Sequence, residues 1–219
     1  MVLVALWLVL GYLCGSLPTA YLAAKRLRGI DIRQYGSGNA GGANVYTHVA
    51  PWAAVLVGLI DAAKAAAPAM LALRLTESQA AAAAAAVGAV AGHGWSLFLD
   101  LTGGRGMAPT VGSMLVLFPP GAAHIVLTHL LGSVIRRASA ADLVALATMP
   151  LLAWVLTDST SLVWMCLAML LAVVAKRLHA NRLPLPGDPA QRKVVLWRRL
   201  IYDRDVPRDQ PWTQRRPPQ

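Results

Sequence analysis

Charge is scarce in this chain. Only 14% of its 219 residues are Asp, Glu, Lys or Arg, against about 25% in soluble domains. With 57% hydrophobic residues and a mean hydropathy of +0.53, that scarcity excludes an ordinary water-soluble domain and points to an integral membrane protein. Acid is scarcer still: 10 Asp and Glu face 20 Lys and Arg, a net charge of +10. In a soluble chain that balance would point to nucleic acid. Here the basic residues stand at the ends of apolar segments, so the charge is assigned to membrane topology and anionic lipid, with no nucleic-acid partner. Cysteine is nearly absent. Cys14 and Cys166 lie inside apolar runs without metal or disulfide spacing, which leaves them as small buried hydrophobes. The first apolar run also lacks a basic stretch before it and a clear cleavage site after it, so it reads as a retained helix rather than a signal peptide.

What is present is a series of apolar segments. A spanning helix needs about 20 mostly apolar residues, and candidates cover 2–24, 51–73 and 79–101. A longer apolar region, 107–135, contains Pro119-Pro120. Two residues with fixed φ and no N–H end a helix, so this region divides into 107–118 and 120–135. Segments 142–156 and 161–175 bring the set to seven. The expected fold class is therefore an all-α integral membrane protein, about seven transmembrane helices in a compact bundle. With seven, successive loops alternate sides. One side receives Lys25, Arg26, Arg28, Arg33, Arg105, Arg136, Arg137 and everything basic from Lys176 onward, which is 18 of the 20 Lys and Arg. The other receives only Arg74, and Lys64 lies within a helix. Positive residues favour the cytoplasm, so the N-terminus is expected outside and the C-terminus inside. Residues 1–183 read as the polytopic membrane domain and 184–219 as a basic, Pro/Arg-rich cytoplasmic tail. Within that tail 194–202 has the pattern of an amphipathic interfacial helix, and the chain beyond Pro207 the composition of disorder.

Three polar clusters fall on the cytoplasmic side of this topology. The first is the loop GSGNAGGANVYTH, 36–48, preceded by Asp31 and Arg33. Glycine permits positive φ and close backbone approach, and successive N–H groups in such a loop form an anion-binding nest. A flexible linker is the plain alternative. The second runs from Gly92 to Thr110 and holds His93 and Gly103-Gly104-Arg105-Gly106. Backbone donors, one cation and a helix N-terminus all suit a phosphate there, although the spacing is not that of a nucleotide P-loop. The third is Asp61 and Lys64, three apart on one helix face, either a structural ion pair or part of an interior site. Small residues at 80–86, Gly88 and Gly92 signal close helix packing rather than chemistry. Together these features describe a membrane protein with a cytoplasmic pocket that holds phosphate beside lipid. An enzyme joining an acyl chain to a phosphorylated small molecule fits, and so does a carrier of an anionic solute. Against the carrier, the chain shows no internal repeat and no matched pair of broken helices.

The motifs Gly15-Ser16-Leu17-Pro18-Thr19-Ala20-Tyr21, Gly29-Ile30-Asp31-Ile32-Arg33, Gly36-Ser37-Gly38-Asn39, Asp61 to Lys64, Gly92-His93, Gly103-Gly104-Arg105-Gly106 and Arg137-Ala138-Ser139 resemble, in order and spacing, the bacterial acyl-phosphate:glycerol-3-phosphate acyltransferases, the PlsY family. The resemblance covers about residues 11–187. It implies a seven-helix inner-membrane enzyme whose active site faces the cytoplasm. Such an enzyme moves a fatty acyl group from acyl phosphate to the 1-hydroxyl of sn-glycerol 3-phosphate, giving lysophosphatidic acid for phospholipid synthesis. It implies no cofactor, no metal, and no direct use of acyl-CoA or acyl carrier protein. Carried over by position, the catalytic candidates are Ser37 and His93. The substrate-binding candidates are Gly36, Gly38, Asn39, Asn44, Lys64, Gly103, Gly104, Arg105, Gly106 and Asn181. Of these, the glycine loop with Arg105 is expected to hold the donor phosphoryl group, and Ser37, Asn39 and Asn44 the acceptor or the reacting carbonyl. His93 is a general base or an orienting group, and direct transfer is favoured over an acyl-Ser37 intermediate. The chain departs from the family pattern in three places. Thr47 stands where an arginine is expected, Arg105 where a lysine is, and Lys176 and His179 where a histidine and an asparagine are. A related acyltransferase with another acceptor therefore remains an alternative.

Overall fold

The structure, a computed structural model, describes residues 1–207 and Thr213. Its helices are α1 (Val2–Gly15), α2 (Thr19–Arg28), α3 (Gly42–His48), α4 (Pro51–Thr76), α5 (Gln79–Gly94), α6 (Met107–Leu117), α7 (Pro119–Val134), α8 (Ala138–Leu156), α9 (Thr160–His179) and α10 (Pro189–Tyr202). Short 3-10 turns, Ile32–Gln34, Leu97–Leu99 and Ala180–Arg182, join some of them.

Helix boundaries follow the local chemistry. The segment expected at 2–24 breaks near Pro18, which has no N–H to continue a helix, and resumes as α2. Gly29 then ends α2 in the left-handed conformation, φ 70°. The two pieces together still form one apolar candidate span, Val2–Arg28. The break at Pro119-Pro120 falls where expected, with the extended residue Phe118 (φ −153°) between α6 and α7. One boundary is corrected. The segment expected to run helically to 101 stops at Gly94. Trp95 leaves helical φ/ψ, the Ser96 hydroxyl donates to the Ser16 carbonyl at 2.5 Å, and Ser96 pairs with Thr102 in an isolated bridge. Residues 95–106 thus form a return loop rather than the end of a helix.

Four stretches among the described residues are long and apolar enough to cross a membrane: Val2–Arg28, Pro51–Thr76, Ala138–Leu156 and Thr160–Arg182. At 16, 11 and 16 residues, α5, α6 and α7 are shorter than the usual span. Their setting differs too. Helix α5 is sheathed by its neighbours, with Ala81, Ala82, Ala85, Ala86 and Ala89 all fully buried. Large apolar side chains point outward from the long helices, among them Leu59, Trp154, Trp164 and Leu171, as lipid-facing surfaces require.

The alanine- and glycine-rich sequence of α5 has a direct packing cause. Gly11 and Gly15 on α1 pack against the backbone of Ala85 and Ala89 on α5, and Gly88 and Gly92 on α5 pack against the backbone of Leu8 and Tyr12 on α1. A Cβ at Gly11 would lie 2.0 Å from the Ala85 carbonyl oxygen, and one at Gly88 would lie 2.1 Å from that of Leu8. The two backbones meet because none of the four glycines carries a side chain. Gly88→Leu is therefore expected to destabilise the protein by about 2–3 kcal/mol or more through overpacking. A lowered thermal midpoint in detergent would show this; an unchanged midpoint would contradict the close approach.

The core has two parts. The larger unites Trp7, Met114, Ile125, Leu146, Met149, Met165, Met169 and the small residues of α5. A smaller cluster of Ala20, Ala24, Ile32, Ala40, Val45, Val49, Val57 and Leu99 lies beneath the glycine-rich 36–48 segment. This second cluster ties that segment down, so it is a packed structure and not a linker. Helix α10 includes the segment expected to be an amphipathic surface helix and begins five residues earlier. It docks through Arg199, which is 2% exposed and donates to the Leu178 and Leu183 carbonyls at 3.1 and 2.9 Å. Arg177 on α9 answers by donating to the Leu200 carbonyl at 2.8 Å. The disorder expected beyond Pro207 lies outside the described residues, Thr213 apart.

Candidate active site

Three loops converge at one end of the bundle. The first is the turn around Ser37, where Gly36 and Gly38 take φ of 53° and 73°. Those values favour glycine. They leave Ser37 half-buried, and its hydroxyl has no hydrogen-bond partner among the described residues. Asn44, on α3 and 1% exposed, holds this loop in shape. Its amide nitrogen donates to the carbonyls of Ile32, Tyr35 and Asn39 at 3.1, 2.8 and 3.0 Å.

The second is the glycine loop before α6. Gly103 and Gly104 are pressed against His93. A Cβ at Gly103 would lie 2.2 Å from the His93 carbonyl oxygen, and one at Gly104 would lie 2.0 Å from His93 Nε2. Gly106, φ 84°, opens α6, whose unsatisfied N–H groups and positive dipole end face this loop. The third is the turn after α9, where Ala180, Asn181 and Arg182 all have positive φ: 45°, 52° and 64°. Such conformations cost roughly 1 kcal/mol or more each and persist where surrounding contacts impose them. Asn181 makes those contacts. Its amide nitrogen donates to the Gly38 and Gly103 carbonyls, both at 2.9 Å, and its oxygen accepts from Gly103 N–H at 3.1 Å. Asn39, with its amide oriented by its partners, donates to the Gly103 carbonyl at 2.9 Å and accepts from Arg105 Nε at 3.1 Å. Ala40 N–H adds a bond to Gly103 at 3.2 Å. The two asparagines thus tie all three loops to one another.

Behind the glycine loop runs a buried polar chain. Asp61 Oδ1 lies 3.5 Å from His93 Nδ1 and 2.8 Å from Lys64 Nζ, and the Thr19 hydroxyl also donates to it. Lys64 Nζ donates to the Leu17 carbonyl at 2.7 Å as well. With the carboxylate on the Nδ1 side, the tautomer favoured for His93 carries its proton there, and Nε2 faces Gly104 as the basic nitrogen. Lys64, expected at the substrate, is committed to Asp61 and Leu17. A cavity of about 10 Å³ is enclosed by Leu17, Lys64, His93, Ser96 and Gly103, among others. That is room for about one water molecule.

Positive charge gathers on the other side of the loop. Arg105 Nη1 donates to the Lys176 carbonyl at 3.0 Å, and its guanidinium forms an ion pair with Asp203 at the end of α10. Lys176 is 1% exposed, and its ammonium lies over the Trp95 ring, 5.1 Å from the centroid. Neither Lys176 Nζ nor the neighbouring His179 Nδ1 has a hydrogen-bond partner among the described residues, although both are buried. Arg33 is held by Asp31 through Nε at 3.0 Å and Nη2 at 2.7 Å. Burial opposes the Asp31 carboxylate, but the Arg33 hydrogen bonds outweigh it and hold its pKa below the usual value. The same bonds raise that of Arg33. Thr47 is exposed and spends its hydroxyl on the Ala43 carbonyl, and the His48 ring lies tilted against Tyr35, centroids 5.6 Å apart. A larger cavity, about 300 Å³, is lined by Ser133, Arg136, Arg137, Ser139, Tyr202 and Arg204.

The structure therefore brings Gly36, Ser37, Gly38, Asn39, Asn44, His93, Gly103, Gly104, Arg105, Gly106 and Asn181 into one assembly, with Lys64 behind it. Sequence reasoning did not give Asp61 its link to His93, nor a place in the site to Lys176 or Asp203. A basic residue at the end of an apolar helix was a usable signal for Lys176. Asp203, one of four aspartates in a basic tail, gave none.

The fold defines an integral membrane protein in which glycine loops and helix ends gather at one end of the bundle. The chain belongs to the glycerol-3-phosphate acyltransferase family, whose model matches residues 5–184. Glycerol-3-phosphate acyltransferase 1 of Dehalococcoides mccartyi is 35% identical over 202 residues, 88% of this chain and 97% of the relative. The enzyme of the same name from Parasynechococcus marenigrum is 36% identical, over 84% of this chain and 88% of its own. Among solved structures, the glycerol 3-phosphate form of PlsY (YgiH), an integral membrane glycerol 3-phosphate acyltransferase, superimposes with a TM-score of 0.73 at 25% identity. The match covers 82% of this chain and 89% of that one. The lysophosphatidic acid form of the same protein gives 0.71.

Proposed function

We propose that this protein transfers a fatty acyl group from acyl phosphate to the 1-hydroxyl of sn-glycerol 3-phosphate, releasing lysophosphatidic acid and inorganic phosphate. One observation carries the reading: His93 Nε2 and the glycine loop that bears Arg105 meet at Gly104. Acyl phosphate is already activated. The protein needs chiefly to align the acceptor hydroxyl with the carbonyl and to stabilise the leaving phosphate.

In this mechanism Gly103–Gly106, Arg105 and Lys176 bind the donor phosphoryl group beside the N-terminus of α6. His93, oriented by Asp61, takes the proton of the acceptor hydroxyl. The hydroxyl oxygen bonds to the acyl carbon, the bond from that carbon to the phosphate oxygen breaks, and phosphate leaves onto Arg105. Ser37, between its two glycines, donates to the acceptor or to the carbonyl. No acyl-Ser37 intermediate is needed. Asn39, Asn44 and Asn181 position the loops. All seven apolar segments serve the membrane domain, with the N-terminus outside, the C-terminus inside and the site facing the cytoplasm. The distribution of Lys and Arg supports that orientation. The basic cavity of about 300 Å³ is large enough for a phosphorylated three-carbon acceptor.

Purified protein given labelled glycerol 3-phosphate and palmitoyl phosphate is expected to form labelled lysophosphatidic acid with one phosphate released per product. Palmitoyl-CoA should not replace the donor. If no product formed with palmitoyl phosphate at any pH, the assignment would be wrong. Protein-dependent uptake of the phosphate ester into liposomes without turnover would support the carrier instead.

A further inference from the structure

Helix α10 and the residues after it lie beyond the segment that matches the family, 5–184, yet they reach the centre of the site. Asp203 forms an ion pair with Arg105, on a guanidinium whose side chain is 9% exposed. This contact is built rather than incidental. Asp203 ends α10 in the left-handed conformation, φ 54°. One turn earlier, Arg199 is clamped by both oxygens of Asp205, at 2.7 and 2.8 Å, and by the carbonyls at the end of α9. The tail is thereby pinned on both sides of Asp203.

The charge balance gives the contact its meaning. Arg105 and Arg182 are the charged groups that bear on Lys176, and both are cationic. Lys176, Arg182 and Arg105 also bear on His179. Among the described residues, Asp203 is the carboxylate set on the guanidinium that faces the glycine loop. A carboxylate and a phosphate both accept from the planar fork of arginine, so on the buried Arg105 side chain they compete for one guanidinium. A phosphate dianion arriving beside an unmoved Asp203 would also meet like charge in a poorly solvated site. The residues on either side of Asp203, Tyr202 and Arg204, line the basic 300 Å³ cavity with Arg136 and Arg137. The chain that borders that cavity thus also delivers the carboxylate to Arg105.

We infer that Asp203 is an internal counter-ion that occupies the phosphate site and is exchanged for the phosphoryl group of a substrate. The tail thereby sets the affinity of the site for phosphate and hastens release of the phosphate product. This rests on the proposed reading that Arg105 binds a phosphoryl group. It does not require that the reaction be the one named.

The test is direct binding of inorganic phosphate and of glycerol 3-phosphate to the full-length protein in detergent, by calorimetry, with steady-state kinetics in parallel. Asp203→Asn is expected to tighten phosphate binding about 10-fold or more, the scale of one charge-assisted bond. It should lower the inhibition constant of phosphate by the same factor. The KM of whichever phosphorylated substrate uses Arg105 should fall, while that of the other holds. Arg199→Leu, which loosens the tail and leaves the carboxylate in place, should shift affinity in the same direction by less. Weaker or unchanged phosphate binding in Asp203→Asn would overturn the inference, because a residue that only positions Arg105 loses affinity on removal. If the wild type binds phosphate but makes no lysophosphatidic acid, and Asp203→Asn binds tighter, the counter-ion stands and the proposed reaction falls. If the wild type turns over and the variant binds phosphate no better, the reverse holds.

Discussion

Arg105→Ala is expected to lower kcat/KM for acyl phosphate about 100- to 1,000-fold, the usual effect of removing one preorganised donor at a developing charge. The loss follows from three linked facts. Arg105 is the one side chain in the glycine loop that carries charge, its Nε reaches Asn39, and its Nη1 reaches the Lys176 carbonyl. Its removal takes a cation from the leaving phosphate and loosens the junction of two loops. Arg105→Lys keeps the charge and loses the fork, so it should recover part of the activity. The KM for the donor should rise along with the fall in kcat. A variant with wild-type kinetics for the donor would remove Arg105 from the chemistry.

His93→Ala should reduce kcat about 100- to 10,000-fold, the range of a positioned general base. The loss should be largest below the pH at which the acceptor hydroxyl can react unaided, and added imidazole should restore part of it. Asp61 acts through His93. Replacing it alone would strand the ammonium of Lys64, 5% exposed, without its partner, and stability would suffer for that reason. The informative variant is therefore Asp61→Asn combined with Lys64→Met. It removes the charge pair and should still cost about 10- to 100-fold in kcat, as loss of an orienting partner does. An active double variant would show that His93 needs no carboxylate. Activity in His93→Ala equal to wild type would assign the histidine to packing against Gly104.

The helical architecture was legible because apolar length and proline are strong one-dimensional signals. Pro119-Pro120 marked the α6–α7 break, and Gly88 and Gly92 marked close packing before their partner, α1, was known. The end of α5 was not legible. Trp95 to Leu101 is as apolar as a helix, and what stops it is the Ser96 bond to Ser16, 80 residues away. The glycine loop and His93 could be read as polar groups in costly surroundings. The binding of loop to loop by Asn181 could not, because hydrogen bonds between the ends of α9 and the segment near Gly38 have no local trace. The missing arginine at Thr47 raised the question of where its charge had gone. Arg33 is taken by Asp31, while Lys176 Nζ on α9 has no hydrogen-bond partner among the described residues, a position reached only when the helices are folded together.

A structure with a non-hydrolysable acyl phosphonate bound tests the central claim most directly. The phosphonate is expected on the amides of Gly103–Gly106, within hydrogen-bond distance of Arg105 and Lys176 Nζ, with Asp203 released from Arg105. The acyl carbon should lie on the His93 Nε2 side of the loop. A phosphonate seated away from the glycine loop, with the Arg105–Asp203 pair intact, would contradict the account.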